Sequence, residues 1–201
     1  MNASITRYLS LAVFLLGGMT PVAAQRLRFL IPDGAVVQHA GSIGYFSGGI
    51  NYDLFKNHKG SLDLMFGFVP ESKGGGFTTL NTKFAYRPFE IKINDWFIVH
   101  PLNPGAFFSY TLDKDFDLTW DKGQYPKGYY YWSEALHFHI SFGSELKFLT
   151  TEFKALTKVK ALTLYYEVNA NEMYIVNYVQ NKKALSVTDI FKAGIGIKAS
   201  F

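Results

Sequence analysis

Apolar and polar side chains alternate with a period of two along most of this chain, the spacing of a β-strand with one face on an apolar medium. The clearest run closes the sequence. Phe191, Ala193, Ile195, Ile197, Ala199 and Phe201 fall on one side, and Lys192, Gly194, Gly196, Lys198 and Ser200 on the other. Earlier runs repeat the pattern. Ala35 to Ser42 and Tyr45 to Phe55 read as two strands around a tight reversal at Gly41 to Gly44. Ser61 to Val69 sets Leu62, Leu64, Phe66 and Phe68 against Asp63, Met65 and Gly67. Thr79 to Ile93 follows, with a bulge or break expected at Pro88. Trp96 to Leu112, interrupted at Pro101 and Pro104, Ser133 to Phe148 and Val159 to Val168 complete the set before the closing strand.

The connections differ in length. Lys56 to Gly60 and Asn94-Asp95 are short turns, whereas Asp113 to Tyr131 and Asn169 to Asp189 are long. Asn171 is a capping candidate for a helix over Glu172 to Gln180, and the β-branched and Tyr content there fits a strand or an ordered loop as well. The count predicts a single all-β domain over residues 35–201, an antiparallel up-and-down barrel of about eight strands. An even number brings both ends of the barrel to one side and sends the two long loops to the other.

Placement follows from four further features. Met1 to Ala24 reads as a cleavable signal peptide, with Arg7 before an apolar Leu9 to Gly18 core and small residues at Val22-Ala23-Ala24. Residues 25–34 then form a short mature N-terminal segment. The apolar core is shorter than the roughly 20 residues that a spanning helix needs. The chain has no cysteine, which removes both a disulfide framework and a lipid-acceptor thiol. Aromatic residues reach 17%, with 19 Phe and 13 Tyr, a content suited to interfacial girdles. Tyr129 to Trp132 is a candidate girdle segment. The formal charge of +4 comes without a basic helix or an RNA-binding aromatic pattern, so lysines near turns point to headgroups or water rather than nucleic acid.

The closing strand resembles the C-terminal assembly signal of outer-membrane proteins, through Ala193, Ile195, Ile197, Ala199 and Phe201 with Gly196 at the pattern's glycine. Ala199 departs from it, standing where a larger residue is usual. The whole mature layout is similar to the small eight-stranded Gram-negative outer-membrane barrels, a group of structural, adhesion-type and lipid A-modifying members. That resemblance implies an outer-membrane location. It also implies outer-membrane lipid and the barrel assembly machinery as partners, with an envelope protein as a further candidate.

Candidate chemistry lies on the polar faces. Asp53, Asp63, Glu145 and Glu167 against Lys83, Arg87, Lys192 and Lys198 predict a paired charge network filling the lumen, because a small barrel is just wide enough for side chains and an unpaired buried charge is strongly disfavoured. His139-Ile140-Ser141 is similar to the His-x-Ser element of the lipid A 3-O-deacylases, with Phe142 where that family continues with Asn. That likeness implies a hydrolase using His139 and Ser141, with Glu145 or Glu152 to orient the imidazole. His137 and His139 with Glu145 are alternatively metal ligands, although spacing marks no third ligand. Gly74 to Gly76 lacks the Lys-Ser/Thr of a phosphate loop, and no cofactor is expected. Three functions follow: an envelope barrel with a structural or ligand-binding role, a lipid A acyl hydrolase, and an exported soluble barrel carrying an apolar ligand.

Overall fold

The computed structural model describes residues 30–113, 133–150 and 158–201. The expected signal peptide, the Tyr129 to Trp132 girdle, Glu152 and most of the Asp113 to Tyr131 loop lie outside the described residues. The strands are β1 (Gly34–Ala40), β2 (Phe46–Leu54), β3 (Gly60–Val69), β4 (Phe77–Tyr86), β5 (Ile91–Lys92), β6 (Phe97–Leu112), β7 (Leu136–Leu149), β8 (Ala161–Asn171) and β9 (Lys192–Ser200). A 3-10 turn spans Glu71–Lys73, and helices α1 (Glu172–Gln180) and α2 (Val187–Ile190) lie between β8 and β9.

The strands form one sheet of 9, in which each long strand pairs antiparallel with its neighbours in sequence. β1 pairs with β9, and β4 pairs with β6, so the sheet closes on itself. β5 is a two-residue annex on β6, which leaves eight strands around an up-and-down barrel. Closure gives every strand two partners and removes the exposed edge of an open sheet.

Alternation follows the closure. Val37, Phe46, Leu64, Phe66, Leu80, Phe84, Phe108, Ile140, Leu164 and Ile197 are exposed on the outer surface. Gln38, Asn51, Asp63, Lys83, Ser141, Glu145, Glu167 and Lys198 are buried inside. Aromatic pairs gather at both margins of the outer face. Phe108 and Phe138 stand 5.2 Å apart on one side, and Phe97 with Phe148 at 4.8 Å on the other.

Two proline positions behave differently. β4 ends at Tyr86, and Lys59 Nζ donates to the Pro88 carbonyl, so the chain leaves the barrel before it re-pairs as β5. In β6 the ladder survives: register shifts between His100 and Asn103, and Pro104 stays opposite Phe142. The interruption expected at Pro101 is a bulge and none occurs at Pro104, because the long partner strand β7 pairs on both sides of the irregularity.

One barrel end, the turn end, carries residues 55–59 and the β4–β6 connection. The opposite loop end carries residues 41–45, 70–76 and the two helices. At the loop end the β1–β2 reversal folds inward. Ile43 is fully buried and clusters with Val36, Met65, Phe107 and Tyr165. Its carbonyl accepts from Ser47, Thr79 and Asn81 at 3.0, 2.6 and 3.2 Å. Gly44 takes the left-handed φ of 130° that this path needs. A Cβ at Gly67 would collide with the Ile43 carbonyl and the Thr79 hydroxyl.

Candidate functional site

The interior below that plug is ionic and connected. Lys83 Nζ lies 3.0 Å from Glu167 Oε2 and donates to Gln38 Oε1 at 2.6 Å, an oxygen that also accepts from the Tyr165 hydroxyl at 2.8 Å. Lys198 Nζ lies 2.9 Å from Asp63 Oδ2 and 3.6 Å from Glu145 Oε1. Asn51 adds a 2.6 Å donation to Asp63, and Ser61 accepts from Lys198 at 3.0 Å. Arg87 closes the set, with Nε 2.6 Å from Glu145 Oε2 and Nη1 3.4 Å from Asp53. Asp53, Asp63, Lys83, Arg87, Glu145, Glu167 and Lys198 therefore lie in two linked groups inside the barrel. Lys192 does not join them. It shares the inward parity of Lys198 on β9 but lies at the loop end, exposed, 5.3 Å above the Tyr174 ring.

Each of these charges is placed by strand parity and satisfied across the lumen rather than along its own strand. The 4-cation, 4-anion reading from sequence had no register to decide which partners meet. Closure brings β4 against β8 and β3 against β9 through the interior, which puts Lys83 on Glu167 and Lys198 on Asp63. Buried pairs of this kind need such full hydrogen bonding to offset the loss of water.

His139 lies in the same interior, buried, with its ring stacked on Phe107 at 4.2 Å and 6°. Its Nδ1 is 3.2 Å from Asn169 Oδ1, and Asn169 Nδ2 donates to the Gly41 carbonyl at 2.8 Å. Ser141 is buried two residues along β7, and Glu145 is taken by Arg87 and Lys198. The three are thus on one face of one strand but not joined as nucleophile, base and orienting acid, since the acid is already neutralised by two cations. His137 turns to Glu172, 2.7 Å from its Oε1, and Glu172 Oε2 accepts from the Phe138 amide at 2.9 Å. No group of three His, Asp or Glu among the described residues is arranged to hold a metal.

The loop end forms an open cup of about 560 Å³. Its floor is the inturned Gly41-Ser42 segment and Gly44 with His139, and its walls include Tyr45, Val69, Phe77, Thr79, His137, Tyr174 and Lys192. Asn171 helps to fix the wall: its side chain accepts from the Tyr174 amide at 2.8 Å, capping α1. The helix alternative for Glu172 to Gln180 is the one that forms. The turn end holds a much smaller space of about 60 Å³ beside Arg87, Glu145 and Lys198.

The cup was missed in the sequence because its residues come from four connections and the strand ends beside them, which no local pattern links. The available signal was Ile43, a large β-branched residue inside a Gly-Ser-Ile-Gly reversal where polar residues are usual. Comparison of the chain with family models, with curated proteins and with solved structures gives no match.

Proposed function

We propose that this chain is an integral outer-membrane barrel whose lumen is filled by side chains, a non-enzymatic envelope protein that meets ligands or partners through its loop end. One observation carries the reading: the barrel wall is inverted relative to a water-soluble protein, with paired charges inside and rows of Leu, Ile, Val and Phe outside, the buried Val36, Ile43 and Phe107 cluster at the loop end apart. In water that outer surface is a large exposed apolar patch. In hydrocarbon it is the favourable face, and closure satisfies the backbone groups that lipid cannot. The aromatic pairs at both margins fit the two interfaces of such a band.

A carrier of apolar ligands needs the opposite arrangement, with an apolar cavity and a polar exterior. Below the Ile43 cluster the described lumen is polar, and its spaces of about 60 and 20 Å³ are small beside the cup. None of the described helices is long and apolar enough to cross a membrane, so strands are the spanning elements in this reading. Outer-membrane lipid is the surrounding partner, and β9, with Ala193, Ile195, Ile197 and Ala199 along its outward face, is the strand for the assembly machinery to engage.

Membrane fractionation of cells expressing the full chain, followed by gel migration with and without boiling, tests this. The expected result is recovery in the outer-membrane fraction and a mobility shift on heating. Recovery in the soluble periplasmic fraction, with one mobility at both temperatures, would overturn it.

A further inference from the structure

The cup has a charge pattern that the barrel body does not require. Lys73 Nζ lies 5.5 Å from the Tyr45 ring centroid, and Lys192 Nζ lies 5.3 Å from that of Tyr174. The two come from separate elements, the 3-10 turn after β3 and the first residue of β9. Inside the barrel Lys83 and Lys198 are each held by a carboxylate, whereas neither Lys73 nor Lys192 has an ion-pair partner among the described residues. Glu172, the acid nearest the His137 side, is engaged by His137 and the Phe138 amide. Among the described residues, Glu134 is then the acid that lines the cup. The described lining of the cup thus carries two ammonium groups and one carboxylate, together with Val69 and Phe77.

We propose that the cup binds a small organic anion with an apolar, preferably planar, body. The volume lies within the roughly 300–1,000 Å³ of small-molecule sites. Val69, Phe77 and the tyrosine rings take the body, and the two ammonium groups at the rim take the charge. The aromatic faces under both ammonium groups hold them in place, which lowers the cost of ordering long side chains around a ligand. The inference deepens the loop-end binding role proposed above. Its sign preference does not depend on whether the barrel lies in a membrane.

The test uses three probes of one shape: 2-naphthoate, 2-naphthalenemethanol and 2-naphthylmethylammonium. Each is measured by equilibrium dialysis against the folded full chain in detergent, with protein-free micelles subtracted. Saturable binding of naphthoate is expected, about fivefold tighter than the alcohol, as two solvent-exposed charge contacts allow, with the ammonium weakest. The Lys73→Ala, Lys192→Ala double variant should lose the difference between naphthoate and the alcohol, and the double Arg variant should keep it. Equal affinity for the three probes, no saturable binding of any, or an unchanged preference in the Ala variant would each overturn the proposal. Failure of the membrane reading would show separately, in fractionation.

Discussion

Lys198 shows what a cation inside this barrel requires. It lies between Asp63 and Glu145 and also donates to the Ser61 hydroxyl. Lys198→Ala strands Asp63 with Asn51 and Ser61 alone, and removing one partner of a buried pair costs about 3–5 kcal/mol. Urea unfolding followed by tryptophan fluorescence should show that loss, and a double Lys198→Met, Asp63→Leu variant should lose clearly less, because Glu145 keeps Arg87. Equal losses would mean that pairing is not what these residues supply. At Ser141 the expectation differs. With His139 on Asn169 and Glu145 on Arg87, Ser141→Ala should leave lipid A acyl patterns, read by mass spectrometry, identical to wild type. The residue types and their inward face were legible in the alternation: Asp63 stands between Leu62 and Leu64, and Lys83 and Glu145 keep the parity opposite to Phe84 and Leu146. Their pairing was not, since Lys83 and Glu167 are 84 positions apart and meet only once the sheet closes.

At the scale of elements, the reversal between β1 and β2 is the piece with most consequence. It lies over one end of the lumen because Ile43 has somewhere apolar to go and its carbonyl has three donors. Gly67→Ala places a methyl group against that carbonyl, so the reversal should be expelled. Faster proteolysis or hydrogen exchange confined to residues 41–45 would report this, and unchanged protection would contradict it. Asn171→Ala removes the cap of α1 and should cost about 1 kcal/mol, local to the helix, as faster amide exchange at residues 172–176 with β8 unaffected. The eight strands could be read to within a few residues because each carries its own alternation. The Thr79 to Ile93 run was two elements, β4 and β5, since Pro88 cannot continue the ladder. Glu172 to Gln180 was undecided because its apolar and aromatic content suits either period, and the Asn171 cap resolves it.

For the whole molecule, the charge network and the Ile43 plug together fill the barrel, so planar bilayers containing it should show no large steady conductance. A stable open channel would contradict a filled lumen. Charge on the outer face should be poorly tolerated: Leu64→Arg, near the middle of β3, should cost about 2–4 kcal/mol in lipid, measured by urea unfolding from vesicles. The absence of cysteine gives the most direct test of the central claim, that the apolar outside faces hydrocarbon. Thr163 and Leu164 are neighbours on β8, the first buried in the lumen and the second 41% exposed outside. Leu164→Cys, labelled with a polarity-sensitive fluorophore in reconstituted vesicles, should be quenched by lipid-borne nitroxide and not by iodide, and Thr163→Cys should resist labelling while folded. Iodide quenching of the Leu164→Cys label, without quenching by the nitroxide lipid, would contradict the account.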